Sequence, residues 1–449
     1  MSEIKFIDTS LRDGNQSLWD ATGLKTSMIL SVAPEIDRIG FHAVDFVAST
    51  HMQTAVRYHR ENPWEKIRLA SKTMPNTRLC FGTTGRRFVG FKRCPDSILQ
   101  LVYERMAANG IRRVWIIDAP HEKDIIYKNA RMANASGIED FMVALSYSIS
   151  PVHTDDYYVK KTQMITNCPD VDTVYLKDQG GLLTPERVKT LVPAIQANLN
   201  GRPLEIHTHC NTGLGPLVCL EAFRLGVDRV HTGVPPLANG TAQPSIFNIL
   251  KNIKYMGYSA NLNEEALENY SAHLMEIAER EDRPAGAPLE YDLAYYEHQV
   301  PGGMVTTLKR QLSEAGKADS LEKVLEEIVR VRKELGYPIM VTPFSQFVAT
   351  QATMNVISGE RYKMVPDGVI EYIAGYFGEP PAPIDQDVLD KIRSLPKTKK
   401  LMNEEFPQPS VKEIRKHMGI GPGVSDEEFL LRYALGDDEV DVMLAASRK

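Results

Sequence analysis

The sequence has no apolar run of about 18 residues, the length a membrane-spanning helix needs. It has only five cysteines in 449 residues, Cys80, Cys94, Cys168, Cys210 and Cys219, with no Cys-x-x-Cys pair. An odd, scattered set of this kind argues against a disulfide framework or a zinc knuckle and points to a reducing, cytoplasmic setting. Positive charge is not in excess: 52 Lys and Arg stand against 58 Asp and Glu, a net charge of -6. That balance argues against nucleic acid as a partner, because such proteins carry a basic patch. The first residues show no signal-peptide pattern, and no internal repeat or low-complexity tract stands out. What is there is a globular composition, 43% hydrophobic and 24% charged. The length suits one large domain and a smaller one.

Short, β-rich apolar runs recur at 5–9, 43–49, 78–84, 113–118, 143–148, 173–178, 204–209 and 229–234. Between them lie segments of helical period. In 97–110, Ile98, Leu101, Val102, Met106 and Ala107 share a face and Gly110 ends it. Segment 184–201 opens with Thr184 as cap and Pro185 at the first helical position, and 215–227 repeats the pattern. Strand and helix alternating eight times is the mark of a parallel (β/α)8 TIM barrel. An open doubly wound sheet would want a glycine-rich phosphate turn after an early strand, and Arg12-Asp13-Gly14-Asn15-Gln16-Ser17 is not one. After about residue 300 the pattern becomes helical. Leu321, Val324, Leu325, Ile328, Val331 and Leu335 form one stripe over 320–336, and Ser425 with Glu428 reads as a capping box. The expected organisation is a barrel over 1–300 and a helical region over 301–449 that packs on the barrel mouth and ends in an appendage.

Barrel chemistry sits at the C-terminal ends of the strands, and three of these ends carry charged or ligand-type groups. The first runs into Arg12 and Asp13, the sixth ends at Lys177-Asp178, and the seventh holds His207 and His209. Alternate strand residues face the same side, about 6.7 Å apart, so both imidazoles point inward while Thr208 points away. Two such histidines with the Asp13 carboxylate suit a divalent ion: zinc first, with manganese or cobalt also fitting. Asp8 competes with Asp13 but lies inside the strand, where it serves structure. An ammonium cannot ligate a metal. Lys177 is therefore paired with Asp178 or another acid, serves as a Schiff-base amine, or is carbamylated into a carboxylate-like ligand. The loop 235–244 follows the last strand, where barrels often bind anions. Segment 82–94 is locally basic through Arg86, Arg87, Lys92 and Arg93, either a receptor for an acidic substrate or a solvated loop. Thr342 and Ser345 offer hydroxyls at the turn before a helix.

Six segments, 8–17, 175–183, 205–213, 240–245, 298–304 and 341–363, resemble in order the motifs of the carboxyltransferase domain of biotin-dependent carboxylases. That family includes the oxaloacetate decarboxylase alpha subunit, the metal-dependent subunit of methylmalonyl-CoA transcarboxylase and, further off, pyruvate carboxylase. The resemblance implies a homodimeric enzyme whose metal is held by Asp13, His207, His209 and an N6-carboxylated Lys177. It places Arg12 and Gln16 at the substrate, Thr342 as the proton carrier between biotin and acceptor, and Ser345 in the biotin pocket. The acceptor it implies is an enolisable small molecule such as a 2-keto acid of the pyruvate or oxaloacetate kind.

Two departures stand out. Aligned on Val89-Gly90-Phe91, the position of the arginine that the family's keto-acid enzymes carry after strand three is Thr84. No biotinyl-lysine motif and no ATP-grasp signature is present. The expectation is therefore a subunit served by a separate biotin carboxyl carrier protein and a separate biotin carboxylase. Metal-dependent aldol-type barrels such as isopropylmalate synthase and hydroxymethylglutaryl-CoA lyase look similar at Asp13, His207 and His209. They lack the strand-six lysine and the Thr342 segment. A scaffold that has lost catalysis is the third class; intact metal ligands and Thr342 argue against it.

Overall fold

The computed structural model describes residues 3–90, 92–314 and 316–446. Phe91, one of the residues that set the alignment at Thr84, and the chain end at Lys449 lie outside the described residues. Eight parallel strands close into a barrel in sequence order: Lys5–Asp8 (β1), Ala43–Ala48 (β2), Leu79–Thr84 (β3), Ile111–Ile117 (β4), Asp140–Ser146 (β5), Thr173–Asp178 (β6), Leu204–Thr208 (β7) and Arg229–Thr232 (β8). β8 pairs back to β1. β2, β5, β6 and β7 are buried at every position. Each faces helices outside and side chains inside, which is why they read as apolar runs without alternation. The lumen is filled by a cluster that includes Cys80, Trp115, Met142 and Tyr175.

The outer helices follow the periodic segments. Pro185–Gln196 starts where the sequence places it, with the Thr184 hydroxyl accepting from the Arg187 N–H at 3.1 Å. Val324, Ile328 and Val331 of helix Leu321–Glu334 are buried, as their stripe requires. They join Phe344, Phe347 and Val348 in a second core that reaches the end of β4 through Ile117 and Ala119. The last helices do not stand apart. Ile414, Phe429, Leu430 and Val440 belong to the barrel's outer core, and Trp64 Nε1–H donates to the Glu427 carbonyl at 3.1 Å.

The Ser425 capping box forms by half. Ser425 accepts from the Glu428 N–H at 3.1 Å, but the Glu428 carboxylate pairs with Arg432 at 2.8 Å. The reciprocal pair forms instead at Ser410 and Glu413. Among the described residues, no helix is long and apolar enough to cross a membrane, and all five cysteines are free and buried.

Candidate active site at the barrel mouth

β1 does not end in an open loop. Ser10–Gly14 forms a single π-helical turn, all of it buried, a local widening that often marks functional positions. It packs so closely on the loop after β8 that a Cβ at Gly14 would strike the Leu237 carbonyl oxygen. Asp8 anchors the turn by accepting from the Ser10 N–H at 3.0 Å and the Tyr270 hydroxyl at 3.1 Å. Burial pushes its carboxyl up to about 6. Asp8 thus has the structural role assigned to it from sequence.

The turn delivers Asp13 to the ends of β6 and β7. Lys177 and His207 are register partners across those strands. Asp13 Oδ2 lies 3.2 Å from His207 Nε2, 3.5 Å from His209 Nε2 and 3.5 Å from Lys177 Nζ. Lys177 Nζ lies 3.0 Å from His207 Nε2. Ligand atoms of Asp13, His207 and His209 lie within 4.8 Å of one another, all three residues buried. Asp178, in contrast, faces away: it accepts from the Leu182 and Leu183 N–H groups and the Thr208 hydroxyl. Pairing of Lys177 with Asp178 is therefore excluded, and the nearest acid is Asp13.

The electrostatics follow from this packing. Burial raises the Asp13 carboxyl, but the charges of Arg12 and Lys177 outweigh it and hold the group well below the usual carboxylate range. Burial pushes the Lys177 amine down to about 8 against the pull of Asp13. Burial and the neighbouring Lys177 keep the His207 imidazole neutral.

Tautomers follow from the acceptors. His209 Nδ1 lies 2.6 Å from the Thr241 carbonyl, so it carries the proton and leaves Nε2 with a lone pair. His231 Nε2 lies 2.9 Å from Glu205 Oε2, and Glu205 is held ionised by Arg113 at 2.7 Å. His231 therefore donates to Glu205 and accepts at Nδ1 from His207 Nδ1–H, 3.0 Å away. His207 Nε2 is left with its lone pair. Gln243 sets its amide nitrogen 3.2 and 3.0 Å from the two Nε2 atoms, with its carbonyl oxygen 2.8 Å from the Thr9 hydroxyl. A carboxylate and two imidazoles whose lone pairs converge are the donor set of a divalent metal, and the residues present fit one.

Beside the cluster, Arg12 lies over the Trp115 ring at 4.7 Å. It donates to Asp45 through Nε at 2.7 Å and to Asp13 at 2.9 Å, while Trp115 Nε1–H donates to Asp45 at 2.9 Å. Arg12 is thus a clamp on Asp13 whose charge is already matched. A cavity of about 360 Å³ opens above, and Arg12, Asp13, Gln16, Thr84, Lys177 and Thr342 are among its walls. Gln16 and Thr342 are exposed at its rim. Ser345 is not brought into it; it lies in the helix behind Thr342, fully buried, its hydroxyl without a partner among the described residues.

Sequence reasoning passed over Gln243, His231, Glu205 and Trp115. The loop 235–244, read as an anion site, turns inward to orient the histidines through Thr241 and Gln243. Glu205 carried a signal: it precedes His207 by two residues and so shares its face.

Residues 295–442 match a family model described as a conserved carboxylase domain. The chain is 34% identical over 437 residues to a pyruvate carboxylase subunit from Methanocaldococcus jannaschii, spanning 96% of this chain and 76% of that one. It is 30% identical over 390 residues to the methylmalonyl-CoA carboxyltransferase 5S subunit of Propionibacterium freudenreichii subsp. shermanii, spanning 86% and 76%. Its fold matches, with a TM-score of 0.89 at 22% identity, the carboxyl transferase domain from Rhizobium etli pyruvate carboxylase with 3-hydroxypyruvate, over 99% of this chain and 78% of that one.

Proposed function

The chain belongs to the carboxyltransferase family of biotin-dependent carboxylases, and we propose that it moves CO2 between carboxybiotin on a separate carrier protein and an enolisable 2-keto acid. The observation that carries this reading is the convergence of Asp13, His207, His209 and Lys177 on one point in a cavity that Thr342 also lines. In this proposal a divalent metal, zinc first, is held by Asp13, the two Nε2 atoms and an N6-carboxylated Lys177. The chemistry such an ion supplies is Lewis-acid stabilisation of the oxygen of an enolising carbonyl.

The chain's own residues do the rest. Arg12 fixes Asp13, and through Asp45 and Trp115 it keeps the cavity floor rigid. The Thr342 hydroxyl passes the proton from the acceptor carbon to the ureido group of biotin as the carboxyl leaves it. The new C–C bond forms between that carbon and the released CO2. A hydroxyl relay between aligned partners needs no strong base. Gln16 at the rim contacts the acceptor, and Ser345 supports the biotin pocket from behind Thr342. The carrier protein and the biotin carboxylase are separate partners, the protein works as a homodimer, and its free cysteines suit the cytoplasm.

Two measurements test this. The chain, mixed with a carboxylated carrier protein and a panel of 2-keto acids and CoA thioesters, is expected to transfer label to a 2-keto acid; condensation or cleavage without carboxybiotin would return the aldol-type reading. Intact mass in bicarbonate is expected to show one added CO2, lost in Lys177→Ala; an unmodified lysine in active, metal-loaded protein contradicts the ligand set.

A further inference from the structure

Among the described residues, each cation at the cavity can be matched to an anion except one. Arg12 is taken by Asp13 and Asp45, and Lys177 stands by Asp13. Arg86, the other candidate in the basic segment, is taken by Asp118 at 3.2 Å and by Glu122. Arg87 is 6% exposed. Among the described residues it has no ion pair, and its guanidinium makes no hydrogen bond. Burial drives it down to about 10, offset only in part by Glu371 from beyond ion-pairing distance. A buried cation left without a counterion is destabilising, so the site is built for an anion that arrives from outside.

The guanidinium is held ready. It lies over the Phe377 ring at 4.9 Å, which covers its face and leaves the N–H edge for a ligand. Its backbone is pinned by the Thr83 hydroxyl, which donates to the Arg87 carbonyl at 3.0 Å, and by the Arg87 N–H, which donates to the Thr84 carbonyl at 3.4 Å. Arg87 and Thr342 line the main cavity and also a narrow side pocket. Thr84 lines both, with a buried hydroxyl that has no partner among the described residues. Thr84 therefore leaves the subsite without a cation of its own, and Arg87, three residues on, supplies one.

We propose that Arg87, with the Thr84 hydroxyl beside it, grips the carboxylate of the acceptor and makes this enzyme select a 2-keto acid over a CoA thioester, which offers no carboxylate there. A fork-shaped guanidinium meets a carboxylate through two parallel, charge-assisted hydrogen bonds. Anchored at Arg87, the acceptor lies next to the Thr342 hydroxyl. The inference rests on the 2-keto acid reading above. The N-carboxylate of carboxybiotin offers the same chemistry and is separated by the test.

The test is pyruvate binding to the full metal-loaded chain, followed by Trp115 fluorescence and calorimetry, for wild type, Arg87→Lys and Arg87→Met. Pyruvate affinity is expected to fall by about tenfold to a hundredfold in Arg87→Met, and less in Arg87→Lys. Pyruvamide, which lacks the charge, is expected to bind weakly and equally to all three. Without acceptor, Arg87→Met is expected to melt at or above the wild-type temperature, because the unpaired charge is gone, and a fixed pyruvate concentration is expected to raise the melting temperature most in wild type, less in Arg87→Lys and least in Arg87→Met. Unchanged pyruvate affinity in Arg87→Met overturns the inference and leaves the 2-keto acid reading standing. If that variant instead slows acceptor-free discharge of carboxybiotin, the anion is the cofactor's carboxylate, and the proposal falls by that route. Wild type that binds a CoA thioester and no 2-keto acid sinks both readings.

Discussion

His207 Nδ1 lies 3.0 Å from His231 Nδ1, so one imidazole of the cluster is oriented by another imidazole and not directly by an acid. Behind them Glu205 and Arg113 complete a buried chain of alternating donors and acceptors. The arrangement fixes the His207 tautomer from its Nδ1 side with a neutral partner, while the Asp13 carboxylate faces Nε2 at 3.2 Å. His231→Ala is expected to leave the Arg113–Glu205 pair intact and to weaken divalent metal binding by about tenfold to a hundredfold. Competition with a chelator measures this. Unaltered affinity would show that the Asp13 side alone organises the site.

Gly82 is the position where β3 lets the Trp115 ring in; a Cβ there would collide with the indole. Gly82→Ala is therefore expected to push Trp115 off Asp45 and loosen the Arg12 clamp. Overpacking of this kind costs about 1–3 kcal/mol, to be read by urea unfolding. A parallel drop in carboxyl transfer with metal content retained would place the damage at the clamp. Wild-type stability and turnover in this variant contradict the account of the cavity floor.

Asp8 gives a pH dependence of known sign. Its folded carboxyl sits at about 6 against 3.8 for the free group, because burial disfavours the charge. A raised acid binds its proton more tightly when folded. The stability this lends is full below the unfolded value and is lost as pH climbs through the folded one. The shift corresponds to about 3 kcal/mol at most. Asp8→Asn lacks it, so the stability of the variant relative to wild type is expected to improve between about pH 4.5 and about pH 7. Denaturant titrations across that range test it; a difference that is flat or moves the other way rules the assignment out.

The barrel was legible because each strand, buried on both faces, reads as a short apolar run, and each intervening helix keeps one face apolar. His207 and His209 were legible because strand periodicity tells which side chains share a side, and Asp13 because it follows the C-terminal end of the first strand, where barrel chemistry sits. The orienting shell was not. Gln243 and His231 reach His207 from 36 and 24 residues away, a pairing set by barrel closure and not by local pattern. The split between Arg86 and Arg87 was hidden for a related reason: adjacent residues in one basic run point to different surroundings, one to Asp118 and Glu122 and the other to Phe377. The capping box was misplaced because Ser425 and Glu428 satisfy the spacing while Arg432, one turn on, competes for the carboxylate.

Proton transfer through Thr342 is the step on which the proposed metal-assisted carboxyl transfer turns. The most direct measurement is label transfer from a carboxylated carrier to a 2-keto acid by Thr342→Ala, with metal content determined on the same sample. A loss of at least about a hundredfold is expected, with about one divalent ion per chain retained, as the ligand set requires. Transfer at the wild-type rate by the fully metal-loaded variant would contradict it.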